Sequence, residues 1–120
     1  MKTYINDEVY TKRGFTLSSD KSKLDLEYTY HFLNNESYWA KGIPQDVYFK
    51  SIENSLCFGV YFNDKQIGFA RVITDYATFA YLADVFIDKR YRKKGLSKWL
   101  IQNIINHPEL KNLRRWLLAT

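Results

Sequence analysis

The chain has 120 residues, 46% of them apolar and 18% aromatic, a single cysteine, and a formal net charge of +5. That is material for one compact core, so residues 1–120 read as a single domain. Its longest uninterrupted apolar run, Phe79-Ala80-Tyr81-Leu82-Ala83, is far short of the roughly 20 residues a membrane span needs, and Met1 to Glu8 lacks the apolar stretch of a secretory signal. A cytoplasmic protein without a membrane segment is expected, and the unpaired Cys57 suits a reducing compartment.

The first strand is predicted at Phe15-Thr16-Leu17-Ser18, followed by Ser19-Asp20-Lys21-Ser22, whose residue types cap helices. Leu24/Tyr28/Phe32 and Leu26/Tyr30/Leu33 then fit helical spacing and predict a helix over residues 23–34. After the loop Asn35 to Ile43, Pro44 stands as a first-turn proline, and a second helix runs to about Asn54. From Leu56 the period changes to that of strands. Leu56 to Phe62 and Gln66 to Thr74 form a hairpin around Asn63-Asp64-Lys65, and Phe79 to Ile87 continues the meander after Asp75-Tyr76-Ala77-Thr78. Cys57, inside the first of these runs, is expected to be a small core residue and not a nucleophile. Leu96, Leu100 and Ile104, with Ile101 and Ile105 beside them, restore helical spacing until His107-Pro108 ends it, and Arg115 to Ala119 reads as a last strand. The fold class is α+β, in the order β-α-α-β-β-β-α-β, with a mostly antiparallel central sheet flanked by helices.

Charge is distributed unevenly along this order. Residues 1–88 carry nine Lys and Arg against twelve Asp and Glu, a net of −3, whereas residues 89–120 carry nine against one, a net of +8. Six of those nine lie between Lys89 and Lys98, at the junction of a strand ending in Val85-Phe86-Ile87 with the helix that opens after Gly95. The first N–H groups of a helix have no partners within it and carry partial positive charge, so they suit an anion. Gly95 has no side chain to hold a phosphate away from the backbone, and Arg92, Lys93, Lys94 and Lys98 add full charges. The nucleotide-binding motif G-x-x-x-x-G-K-[ST] is absent, and the dinucleotide fingerprint fails because Gly95 is the one glycine near the turn.

The segment Arg92-Lys93-Lys94-Gly95-Leu96-Ser97 resembles the acetyl-coenzyme A motif Q/R-x-x-G-x-G/A of the Gcn5-related N-acetyltransferase (GNAT) superfamily, with serine at the last position. Tyr91-Arg92-Lys93-Lys94-Gly95 is similar to that superfamily's frequent Y-R-G-K-G, and the order of elements from Phe15 to Thr120 also resembles it. The resemblance implies that acetyl-coenzyme A is the co-substrate, with no metal. It implies that the backbone of Val85, Phe86 and Ile87 lines the pantetheine arm, and that amides from Arg92 through Lys93, Lys94, Gly95, Leu96 and Ser97 to Lys98 hold the pyrophosphate. It further implies direct transfer of the acetyl group to a primary amine in a ternary complex.

Asp84 is the side chain singled out for catalysis. Alternation along Phe79 to Ile87 puts it on one face with Ala80, Leu82 and Phe86, where a carboxylate can take a proton from an ammonium substrate or bind that cation. A structural ion pair with Arg71 is the competing expectation. Tyr38 and Trp39 lie in the loop where the resembling superfamily builds its acceptor pocket, and aromatic rings there can hold an amine, with packing into the core as the favoured competing expectation. Asp75 and Asp84 together suggest a cationic acceptor, either a small molecule or a peptide. His31 and His107 lack metal-spaced partners.

Two other functions fit parts of the chain: a nucleic-acid module using the basic C-terminal third with Tyr91, Trp99 and Trp116, and a coenzyme-binding fold without catalysis. The first is disfavoured because Trp99 and Trp116 fall on apolar faces, so neither nucleic acid nor membrane is expected as a partner. The sequence ends at Thr120 directly after a strand, where the resembling superfamily continues with a helix and two more strands. The expectation is a domain shortened at its C-terminal end, with either self-association through the last strand or poor stability.

Overall fold

The computed structural model describes residues 7–118. A five-stranded sheet in the order β1-β2-β3-β4-β5 forms its centre. The strands are β1 (Phe15–Ser18), β2 (Leu56–Phe62), β3 (Lys65–Thr74), β4 (Phe79–Ile87) and β5 (Arg115–Leu118). Short connections make β2, β3 and β4 an antiparallel meander, with β1 antiparallel to β2. β5 instead lies parallel to β4, because the chain crosses over through helix α4 (Leu96–Ile105) before returning. The turn between β2 and β3 has Asn63 at φ 48 and Asp64 at φ 72, two left-handed residues as a two-residue hairpin loop requires.

The expected order is present, with one addition on residues that carried no expectation: helix α1 (Asp7–Lys12). The helix expected over residues 23–34 is divided. Asp20 caps a 3-10 turn at Lys21–Lys23, Leu24 is extended, and Asp25 starts again as the N-cap of α2 (Leu26–His31) by accepting from the Tyr28 amide. Two capping aspartates therefore begin two turns where apolar spacing alone indicated one. α2 then widens into a π turn at Phe32–Glu36. Pro44, expected in the first turn, stands one residue earlier as the N-cap of α3 (Gln45–Glu53), with extended backbone at ψ 145. Ala119, expected in the last strand, lies outside the described residues.

The sheet separates two cores. On one face α4 buries Leu96, Trp99, Leu100 and Ile104 against Val60, Ala70, Val72, Ala80 and Leu82. On the other, Phe32, Leu33, Tyr48 and Ile52 pack on Cys57, Phe69 and Phe86. Cys57 is 1% exposed, in the core as expected, and burial pushes its thiol up to about 11. No helix among the described residues is long and apolar enough to cross a membrane.

One irregularity in this sheet positions the site. Arg71 pairs with Ala83 and Phe69 with Phe86, so two steps along β3 face three along β4. The extra residue makes a β-bulge in which Asp84 takes the left-handed conformation at φ 54. The bulge reverses the alternation. Ala80 and Leu82 point into the α4 core, while Phe86 stacks on Phe32 in the opposite core at 3.7 Å and 6°. The expectation that Ala80, Leu82, Asp84 and Phe86 share one face is thereby corrected.

Candidate active site

The bulge sends the Asp84 carboxylate toward β3 and the α2–α3 loop. Its Oδ2 accepts from Arg71 Nε at 2.8 Å, with both side chains mostly buried. Its Oδ1 accepts from the indole N–H of Trp39 at 2.8 Å. Arg71 also donates through Nη1 to Ser55 Oγ at 3.1 Å. The ion pair weighed from sequence is thus present, and Trp39 is its unforeseen third member. An open cavity of about 430 Å³ is bounded by these three residues together with Tyr38, Tyr81, Ala83, Val85 and Leu118. Tyr38, Trp39 and Asp84, separately singled out in the sequence, come together here. Tyr81 and Leu118 carried no expectation; strand alternation alone does not say which face of β4 meets a cavity.

Asp75, the other acidic residue offered for a cationic acceptor, is elsewhere. Its carboxylate closes the β3–β4 turn by accepting from the Ala77, Thr78 and Phe79 amides and the Thr78 hydroxyl. The hydrogen bonds from Thr78 and its neighbours hold it well below the usual carboxylate range. It belongs to the turn.

At the other end of β4, Asp88 organises the basic loop. It caps the 3-10 turn at Lys89–Tyr91, and its carboxylate accepts from Arg90 and from the Tyr28 hydroxyl. Burial pushes its pKa up, but the Arg90 and Tyr28 hydrogen bonds outweigh that effect and hold the carboxyl below its ordinary value. Arg92 turns back so that its Nε donates to the Ile87 carbonyl at 2.9 Å. Lys93 at φ 65 and Gly95 at φ 78 are both left-handed, and Gly95 is the N-cap of α4 without a capping side chain. The first amides of α4 are therefore left for an external acceptor.

A second cavity, of about 490 Å³, runs from Val85, Phe86 and Ile87 to Arg92, Lys93, Gly95, Leu96 and Ser97. Lys94 and Lys98, also singled out for the cradle, stand exposed beside this wall and not in it. Leu96 is 2% exposed, so it meets the cavity through its backbone. Pairing of β4 with β5 runs from Phe79–Arg115 to Leu82–Leu118, which leaves Val85 to Ile87 beyond the paired stretch among the described residues. An uncapped helix start with basic residues around it, continuous with an apolar strand edge, fits a ligand that joins a pyrophosphate to a narrow arm.

Comparison with known proteins identifies the family. A profile of the acetyltransferase (GNAT) family matches residues 25–120. A GNAT-family protein from Xanthomonas campestris pv. campestris superposes with a TM-score of 0.86 at 45% identity, covering 88% of this chain and 75% of that one. A Gibberella zeae protein named as an acetyltransferase is 28% identical, over 92% of this chain and 74% of its own length. A GNAT protein from Elizabethkingia anophelis, solved with acetyl-CoA bound, shares the fold with a TM-score of 0.57 at 11% identity, over 77% of this chain and 56% of that one. The chain belongs to the acetyltransferase (GNAT) family, and its reaction class is acyl transfer.

Proposed function

We propose that this chain transfers an acetyl group from acetyl-coenzyme A to a primary amine by direct attack in a ternary complex. The observation that carries the proposal is the joint between the two cavities, which share Trp39 and Val85 as lining residues. The cavity at the start of α4 takes the coenzyme, with the Leu96 and Ser97 amides on its pyrophosphate and Val85 to Ile87 along its arm. When bound, acetyl-coenzyme A supplies an activated thioester. The neighbouring cavity takes the amine, against the rings of Tyr38, Trp39 and Tyr81.

Asp84 stands in the acceptor cavity beside the joint, with one oxygen on Arg71 and the other on Trp39. Each carboxylate oxygen has a further lone pair, so Asp84 can still accept from an incoming amine, directly or through water. Arg71 and Asp84 cancel each other's charge, which makes the acceptor cavity nearly neutral. This supports a neutral or aromatic amine over a polycation. Trp99, one of the rings a nucleic-acid reading would need, is 2% exposed and cannot serve as a stacking platform.

The test is a panel of amines incubated with acetyl-coenzyme A, followed by release of free thiol, beside calorimetry with coenzyme A. Coenzyme binding together with amine-dependent thiol release supports the proposal. Coenzyme binding without release from any amine reduces it to a coenzyme-binding fold, and no coenzyme binding overturns it.

A further inference from the structure

We propose that Tyr10, in α1, is a positioning residue for the coenzyme cradle that acts through Gly95; the proposal rests on the coenzyme reading above. α1 buries none of its residues, yet its ties converge on α4. Asp7 Oδ1 accepts from the Trp99 indole N–H at 2.7 Å. The Tyr10 ring stacks on Trp99 with centroids 4.5 Å apart and planes at 11°. Beyond that stack, the Tyr10 hydroxyl donates to the Gly95 carbonyl at 3.3 Å, across 85 positions of sequence.

The Gly95 carbonyl already accepts the first backbone bond of α4, from the Trp99 amide at 3.1 Å. Tyr10 supplies its second donor, and a carbonyl oxygen has two lone pairs to give. In a trans peptide the N–H lies opposite the C=O, so fixing the Gly95 carbonyl also fixes the direction of the Leu96 N–H. That N–H belongs to the uncapped start of α4 in the coenzyme cavity. The same hydroxyl occupies the space behind the turn: a β carbon on Gly95 would lie 2.8 Å from Tyr10 Oη. Glycine at 95 therefore answers to Tyr10 as well as to its left-handed φ. Tyr10 lies outside residues 25–120 that match the family, so the family motif does not account for this contact.

The test compares Tyr10→Phe with the unaltered chain, using acetyl-coenzyme A and acetyl-pantetheine as alternative donors. Phenylalanine keeps the stack on Trp99 and removes the hydroxyl alone. The expected result is a fall in kcat/KM for acetyl-coenzyme A of about 3- to 10-fold, the loss of one ordinary hydrogen bond. The value for acetyl-pantetheine, which lacks the pyrophosphate, and the KM for the amine stay unchanged. An equal fall for both donors, or none for either, overturns the assignment. Calorimetry of coenzyme A with both proteins distinguishes the two levels: failure of the unaltered chain to bind removes the coenzyme reading itself, whereas equal affinity in both removes the role of Tyr10 alone.

Discussion

The Trp39 indole N–H and the Asp84 carboxylate meet at 2.8 Å across 45 positions of sequence. The bond depends on the β4 bulge, because regular alternation would have placed Asp84 on the face of Ala80 and Leu82, away from Arg71. It ties the ring that lies between the two cavities to β4, so the shape of the cavity beside Tyr38 and Tyr81 is set by a carboxylate.

Trp39→Phe and Asp84→Asn separate the parts of this arrangement. Trp39→Phe keeps an aromatic ring and removes the donor, and is expected to raise the amine KM by about tenfold, the scale of a hydrogen bond to a charged group. Asp84→Asn also leaves the Arg71 guanidinium without its counter-charge and should cost about 1–3 kcal/mol of stability as well as acceptor affinity. Asp84→Asn should leave the dissociation constant of coenzyme A unchanged, because Asp84 lines the acceptor cavity alone, whereas the Trp39 ring also lines the coenzyme cavity. Steady-state kinetics, calorimetry and thermal melts check the three quantities, and an unaltered amine KM in both variants would remove Asp84 and Trp39 from the acceptor site.

Gly95→Ala should weaken coenzyme A binding at least tenfold, because an L-residue at φ 78 carries a penalty of about 1–2 kcal/mol and the new methyl meets Tyr10 Oη. Combining it with Tyr10→Phe relieves the contact but not the backbone strain. Part of the stability lost in Gly95→Ala should therefore return in the double variant. Chemical denaturation of the four proteins in the cycle measures that coupling, and strict additivity would show the contact to be unimportant.

The secondary structure was legible wherever period and punctuation agreed. Phe79 to Ile87 is bounded as its sequence indicated, and the hairpin at Asn63-Asp64 follows from turn chemistry. The glycine that opens α4 was legible for the same reason, since a glycine among lysines between strand and helix is a local pattern. What escaped was not local. The bulge at Asp84 arises from register against β3, and no residue type in β4 announces it. Tyr10 reaches Gly95 from 85 positions away, and a tyrosine in a short polar helix carries no mark of such a contact.

Cys57 yields a pH dependence. Burial raises its thiol from an ordinary value of about 9 to about 11 in the folded chain, so folding favours the neutral form. A raised folded pKa contributes stability that is whole below the unfolded value and is lost as pH rises through the folded one. Stability should fall between about pH 9 and pH 11, by roughly 1–3 kcal/mol from this group at about 1.4 kcal/mol for each pKa unit. Cys57→Ala should flatten that part of the curve. Urea melts from pH 8 upward test the sign, and equal slopes for both proteins would reject it.

Asp64→Gly should stabilise the chain by about 0.5–1 kcal/mol. Asp64 sits at φ 72 in the β2–β3 turn, and Asn-Gly is the pair best suited to two left-handed residues. A thermal melt showing a lower midpoint would mean that the Asp64 side chain contributes more than its backbone costs.

The attachment of α1 has a consequence for the order in which the molecule opens. The β2–β3 and β3–β4 pairings join neighbours in the chain, while α1 is held to α4 by contacts that span 85 and 92 positions. Contacts of that span require the longest loop to close, and a helix that buries no residue gains little in return. α1 is thus the last piece to dock and the first to detach, an opening with its own small free energy below that of global unfolding. Amide exchange should be fast in residues 7–12 and slow in β3. Each brief departure of α1 withdraws the Tyr10 hydroxyl from Gly95 while the sheet stays closed, so the first turn of α4 is without that contact many times in the lifetime of one folded molecule.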